Sequence, residues 1–279
     1  MTSSLTVVAN SKGGVGKTTI ISTLASMLVA TALQNKRRMP LLISIDEQHN
    51  LPLFFEIGVS DTSELLLFSA TPATANVTSM DSLRQYYLDA GVAILDGLGQ
   101  DRDILVDVGA NAARSVLSFF QVIKLDATAV KKGVAVRLLV PIVAGPGAIP
   151  GAIDTINAAA TALPSATKTL VENRYTKEKY ETYEKSPELL WLRENVKSVT
   201  VHECDCSLWQ EAERIHVPPY AFATVADEEK AFQLLGGDIN NNRALGAFRL
   251  SYSAVVEWGR AVESIFAPIL GITLCEATS

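Results

Sequence analysis

Eight residues near the amino end, Lys12-Gly13-Gly14-Val15-Gly16-Lys17-Thr18-Thr19, constrain this chain more than any others in it. Closely spaced glycines let successive backbone N–H groups turn inward around an anion, with no Cβ in the way. An apolar run at 5–9, ending in Asn10, reads as a short strand immediately before them. A helical pattern follows: Ile20, Leu24 and Leu28 recur at fourfold spacing, as do Ile21, Ala25 and Val29. Strand, glycine loop and helix in that order form a phosphate-binding βα unit, because the helix aims its positive end at the same anion. In such a unit Lys17 reaches the β- and γ-phosphates, and the Thr18 hydroxyl is a magnesium ligand.

The rest of the chain repeats the alternation. Apolar strands are expected at 41–45, ending at Asp46, and at 104–106, ending at Asp107. Further strands are expected at 136–143, at 169–171 near Asn173, and at 215–217, ending at Pro218. Helical patterns such as 115–122 and 152–163 lie between most of them. This predicts a three-layer α/β fold, a mostly parallel twisted sheet with helices on both faces. Ligands in such sheets sit at the carboxyl ends of the strands, where Asp46, Asp107, Asn173 and Pro218 all fall. Asp107 reads either as the carboxylate that holds a magnesium shell through water or as a cap of the next helix. Asp46 reads either as a group that orients an attacking water or as a turn residue. A last helix is expected over 242–266, with Leu245, Phe248, Tyr252, Val255, Gly259, Val262 and Phe266 forming a heptad-like seam. Packing on the sheet is the first reading of that seam, and contact with a partner helix the second.

Composition sets the remaining bounds. The chain has 279 residues, 48% hydrophobic, with no charge block or Pro/Ser-rich linker, so one domain over 1–279 is expected; the polar stretch 69–76 reads as a loop within it. A net charge of -6 argues against a broadly basic nucleic-acid binder. Three cysteines, Cys204, Cys206 and Cys275, are too few and odd in number for a disulfide framework, and fit a reducing compartment. The CxC pair reads as ordinary thiols near a strand end, with His202 and His216 the only other metal donors nearby. Neither a signal segment nor an apolar run long enough to span a bilayer is visible, so a cytoplasmic protein is expected.

The segment from Asn10 to Thr19 resembles the deviant Walker A motif, KGGxGKTT, of the ParA/MinD family of partitioning and positioning ATPases. The stretch Leu42-Ile43-Ser44-Ile45-Asp46-Glu47-Gln48-His49-Asn50 is similar to that family's LLIDxDPQGN switch, with Asp46 at its second aspartate. The strand ending at Asp107 is similar to Walker B. The resemblance implies ATP or ADP with Mg²⁺ on Gly13, Gly14, Val15, Gly16, Lys17, Thr18 and Thr19, with metal-side groups Thr18, Asp46 and Asp107. It implies adenine-side contacts from Asn173 and Pro218, and catalytic roles for Lys12, Lys17 and Asp46. Lys12 is the family's signature lysine, which reaches across an ATP-dependent homodimer to the partner's nucleotide. A slow, Mg-dependent ATP hydrolase follows as the expectation. The chain also departs from the pattern. Ser11 stands for a glycine, Ser44 for the first aspartate, Glu47 and His49 for a proline and a glycine, and no proline follows Asp107. These mark a divergent branch.

Three roles suit such a switch. The first is partition or positioning. With the loop opening at residue 11, no preceding DNA-reading domain is expected, and any DNA contact would be non-specific, through Arg243, Arg249 and Arg260. The second is an accessory ATPase of plasmid conjugation, or of a secretion or surface machine, acting by protein contacts. A variable partner region is expected at 175–212, where Trp191 stands among charges, although 175–196 also reads as a plain amphipathic helix. The third is a metabolic ligase or synthetase on the same fold, for which no extra catalytic constellation is visible. Membrane docking is not expected, because 271–279 holds no basic residue.

Overall fold

A computed structural model describes residues 3–46, 66–69, 80–145, 147–174, 183–204, 206–214, 217, 219–223, 225 and 227–273. Seven strands form one sheet: β1 (Ser4–Ala9), β2 (Leu41–Ile45), β3 (Leu66–Ser69), β4 (Ile104–Val108), β5 (Ala135–Ile142), β6 (Thr167–Arg174) and β7 (Lys197–His202). Their order is β3-β2-β4-β1-β5-β6-β7, and every pairing is parallel. The helices are α1 (Lys17–Gln34), α2 (Met80–Gly97), α3 (Ala113–Val122), α4 (Leu125–Lys131), α5 (Ala148–Ala162) and α6 (Pro187–Asn195). The chain continues with α7 (Ser207–Arg214), α8 (Pro219–Ala223), α9 (Glu228–Leu234) and α10 (Asn242–Leu270).

Strand β1 sits between β4 and β5, so the chain first builds the sheet to one side and then to the other. The crevice for a ligand in such sheets opens where the direction of winding reverses, at the carboxyl ends of these central strands. Residues alternate across the sheet, as the two-residue period of a strand requires. Val8, Leu42, Leu105, Leu139 and Val171 pack under α1 and α10. Leu5, Ile43, Val106, Leu138 and Leu170 pack on the opposite face with α2, α3 and α5. Burial of both faces explains why the central strands are near-continuous apolar runs.

Two expectations about strands are corrected. Of the expected strand 215–217 only Val217 lies within the described residues; it is outside any strand and buried beside Phe222 and Tyr252. The far edge is instead β7, in which Val201 alone is buried. An edge strand hydrogen-bonds on one side only and here carries polar residues outward, so its apolar signal is weak. β3, at the other edge, had no counterpart among the expected strands. The seam on α10 is buried along its whole length, against the sheet and against α8. Gly259 permits the closest approach, since a Cβ there would stand 2.6 Å from that of Ala223. Within the run 175–196, α6 starts at a Ser186 cap accepting from the Leu189 amide; it buries Leu189 and Leu192 but leaves Leu190 and Trp191 exposed, so it is only weakly amphipathic. None of the described helices is long and apolar enough to cross a membrane.

Candidate functional site: a glycine-lined phosphate cradle

The loop between β1 and α1 is anchored from below before it opens to solvent. Asn10 is fully buried, and its Nδ2 donates to the Pro141 carbonyl at 2.7 Å. Its Oδ1 accepts the Lys12 amide at 2.8 Å. Ser11 ties the loop to α5: its amide donates to Thr155 Oγ1 at 3.1 Å and its hydroxyl to the Gly151 carbonyl at 3.1 Å. Gly151 makes this contact possible, because a Cβ would stand 2.8 Å from Asn10 Oδ1 and 2.9 Å from Ser11 Oγ.

Past the anchor the backbone turns sharply. Gly14 and Gly16 take φ of 72° and 82°, the left-handed region that side chains disfavour. Gly16 is doubly constrained, since a Cβ on it would run into the Asn173 amide from the end of β6. α1 then begins with no side-chain cap and no acidic residue in its first turn. Its leading N–H groups and positive dipole end are left to an anion.

The charged groups converge behind this cradle. Lys17 is buried and its Nζ donates to the carbonyls of Lys12 at 3.1 Å and Asn10 at 3.4 Å. Burial pulls its pKa down, while Asp107 and Asp46 pull it up. Asp107, on β4, is 2% exposed and its Oδ1 has no hydrogen-bond partner. Burial raises its pKa to about 7; the Asp46 charge adds to the rise and Lys17 opposes it. Ser44, its register neighbour on β2, also leaves a buried hydroxyl unpaired. Asp46 follows β2 and presses on Gly109, where a Cβ would lie 2.6 Å from Asp46 Oδ1.

A cavity of about 590 Å³ opens over these groups. Its near wall holds Gly13, Gly14, Gly16, Lys17, Thr18, Thr19, Asp46 and Asn173. Val15 is buried behind the loop, and Lys12 stands exposed beside it, with its stem against Gly147. The structure thus brings the loop residues, Asp46, Asp107 and Asn173 together. Pro218 lies outside the described residues, as do Glu47, Gln48, His49 and Asn50.

Comparison with known proteins agrees with this geometry. Residues 3–88, holding β1, the cradle, α1 and β2, match the family model described as an AAA domain. The parallel sheet and the glycine loop between its central strand and α1 make up a P-loop α/β fold. No curated protein matches it. Among solved structures, the MinC:MinD cell division complex of Aquifex aeolicus is similar at 18% identity and a TM-score of 0.47, over 85% of this chain and 98% of that one. A putative plasmid partition protein of Borrelia burgdorferi bound to AMPPNP aligns at 16% identity and a TM-score of 0.42, over 93% and 99%. Cobyrinic acid a,c-diamide synthase of Mycobacterium smegmatis, with an ATP analog and magnesium, aligns at 17% and 0.45, over 79% and 93%. No functional conclusion rests on likenesses this distant.

In this P-loop protein the far wall of the cavity was not foreseen. It consists of Val201, His202, Glu203 and Cys204 at the end of β7, with Trp258, Val262 and Phe266 of α10. Trp258 Nε1 donates to the His202 carbonyl at 3.0 Å and fixes helix to strand end. The seam on the last helix carried a signal for Val262 and Phe266, but as packing residues. His202 to Cys204 were hidden because β7 itself has almost no apolar pattern.

Proposed function

We propose that this chain is an ATP-dependent, dimerising ATPase switch of the ParA type, acting in plasmid or chromosome partition or in positioning a cargo. The observation that carries the proposal is the cradle itself. Uncapped helix amides, left-handed glycines and a buried Lys17 converge on one end of a cavity, and Asp107 behind them leaves a buried oxygen unpaired. Such a constellation binds the phosphates of a nucleotide through backbone N–H groups and one lysine.

The donor set also fits magnesium. Asp107 presents an orphaned buried oxygen, and among the described residues no cluster of three or more His, Cys, Asp and Glu competes to cage a metal. Mg²⁺ takes one or two carboxylates and keeps its remaining positions for water and phosphate. Thr18, Asp46 and Asp107 would hold it, and its charge would neutralise that gathering on the phosphates. Lys17 donates to the phosphate oxygens, leaving the Lys12 and Asn10 carbonyls it now bonds. Asp46, at the mouth of β2, orients a water for attack on the terminal phosphate.

Lys12 has a separate task. It is exposed, and its ammonium makes no ion pair among the described residues. A second copy facing the cavity would receive this charge at its own γ-phosphate, as from an arginine finger. ATP would then hold two chains together, and hydrolysis would release them. Sedimentation velocity with ATP and magnesium tests this: the wild-type chain shifts to a dimer and Lys12→Ala stays monomeric. Unchanged dimer formation by Lys12→Ala contradicts it.

One observation favours the second role, action through protein contacts. Of the three arginines expected to meet DNA, Arg249 is taken up by Glu228 at 3.0 Å and Glu229 at 3.5 Å. Arg243 and Arg260 are exposed on the same helix. A nucleoid- or plasmid-associated location in the cytoplasm rests on these two alone. An adaptor protein that reads Trp191, 43% exposed on α6, replaces DNA as the partner in the second role.

A further inference from the structure

The CxC pair is the sequence motif that the phosphate site leaves unused, and the fold places its first cysteine at the other end of the same cavity. Cys204 lines the far wall, directly after His202 and Glu203. The Cys206 amide donates to the Cys204 carbonyl at 2.8 Å. A bond across one intervening residue folds the chain back, below the ~7 Å of an extended two-residue step. That brings the pair toward the ~4.4–6.8 Å Cα separation that a disulfide spans. Cys206 Sγ donates to the Ser251 carbonyl of α10 at 3.4 Å. Trp258, on the same helix, holds the His202 carbonyl. The segment from β7 to Cys206 is therefore tied to α10 at both ends, and α10 supplies the rest of the wall. Among the described residues no group of three or more His, Cys, Asp and Glu surrounds these thiols.

We propose that Cys204 and Cys206 form a dithiol–disulfide pair whose oxidation reshapes the far wall of the cavity and weakens nucleotide binding. The coupling rests on the nucleotide reading given above. The co-reactant is a small disulfide of the glutathione type. The Cys204 thiolate, which the cavity exposes, attacks one sulfur of that disulfide. The S–S bond breaks, one small thiol leaves, and a mixed disulfide remains on Cys204. The Cys206 sulfur gives up its bond to Ser251 and attacks Cys204 Sγ, releasing the second small thiol. Two electrons pass from the pair to the small disulfide, and the two cysteine protons end on the released thiols. A ring closed over so short a segment is strained, which makes it easily reduced and suited to reversal.

The test uses the full chain in a Cys275→Ser background, equilibrated in glutathione buffers of graded oxidation. After alkylation, mass spectrometry should show the peptide holding both cysteines two hydrogens lighter in oxidising buffer, and dithiothreitol should reverse this. Titration with a fluorescent ATP analogue should give an affinity about tenfold weaker for the oxidised chain. Cys206→Ser, which lacks the resolving thiol, should stop at the mixed disulfide on Cys204 under the same treatment and never give the lighter peptide. A peptide holding both cysteines that stays reduced throughout, or stops at the mixed disulfide, overturns the pair. A disulfide that forms without moving the affinity overturns the coupling. Absence of binding by the reduced chain overturns the nucleotide reading instead, and the mass measurement tells the two failures apart.

Discussion

Asp107 concentrates the chemistry of the site into one side chain. Burial and the Asp46 charge favour its protonated form, and Lys17 does not fully offset them. The folded chain therefore keeps a proton that the unfolded chain releases near pH 4. Stability falls as pH rises from about 4 toward about 7 and is level above that. The loss is at most about 4 kcal/mol, because each tenfold change in proton affinity is worth roughly 1.4 kcal/mol. Thermal unfolding of the nucleotide-free protein should show Tm dropping between pH 5 and 8. Asp107→Asn, which cannot titrate, should be flat over that window; an equal slope in the variant would place the titration elsewhere. Lys17 is the counterweight: buried, pulled down in pKa by that burial, and held by two backbone carbonyls.

Among the elements, β1, α1 and α5 decide where the cradle stands. Gly151 lies inside α5, where alanine ordinarily gains about 0.5–1 kcal/mol over glycine. Here a Cβ would meet Asn10 Oδ1 at 2.8 Å and Ser11 Oγ at 2.9 Å, both held in hydrogen bonds. Overpacking costs about 1–3 kcal/mol and outweighs the helical gain. Gly151→Ala should lower stability in urea by roughly 1–2 kcal/mol and weaken ATP binding several-fold; a more stable variant with unaltered binding would contradict the anchoring role. The sequence made the central elements plain because their burial is two-sided. β1, β2, β4, β5 and β6 each surfaced as an apolar run, and Asp46, Asp107 and Asn173 fell at strand ends as expected. The edges were opaque. β7, Lys-Ser-Val-Thr-Val-His, carries one buried side chain, so the run 215–217 looked more like a strand than it did. That exchange concealed the far wall of the cavity, which only β7 and α10 together create. The close fit of Gly16 to Asn173 was equally invisible, since it depends on β6 reaching the loop from 157 residues further along the chain.

At the scale of the molecule, one crevice joins two chemistries. The uncapped amides of α1 lie at one end, and Cys204 lies at the other. The reversal of strand order at β1 opens the crevice, and the long α10 closes its far side. Net charge of -6 opposes a broad grip on DNA, so partners are expected to meet local surfaces such as α6 or the exposed flank of α10. The central claim is that the loop after β1 holds a nucleotide's phosphates. Isothermal titration of ATP with magnesium into the wild-type chain and into Lys17→Met tests it most directly, with circular dichroism confirming that the variant is folded. The account predicts saturable one-site binding by the wild-type chain and none measurable by Lys17→Met. No saturable heat from the wild-type chain, or equal affinity in a folded Lys17→Met, would contradict it.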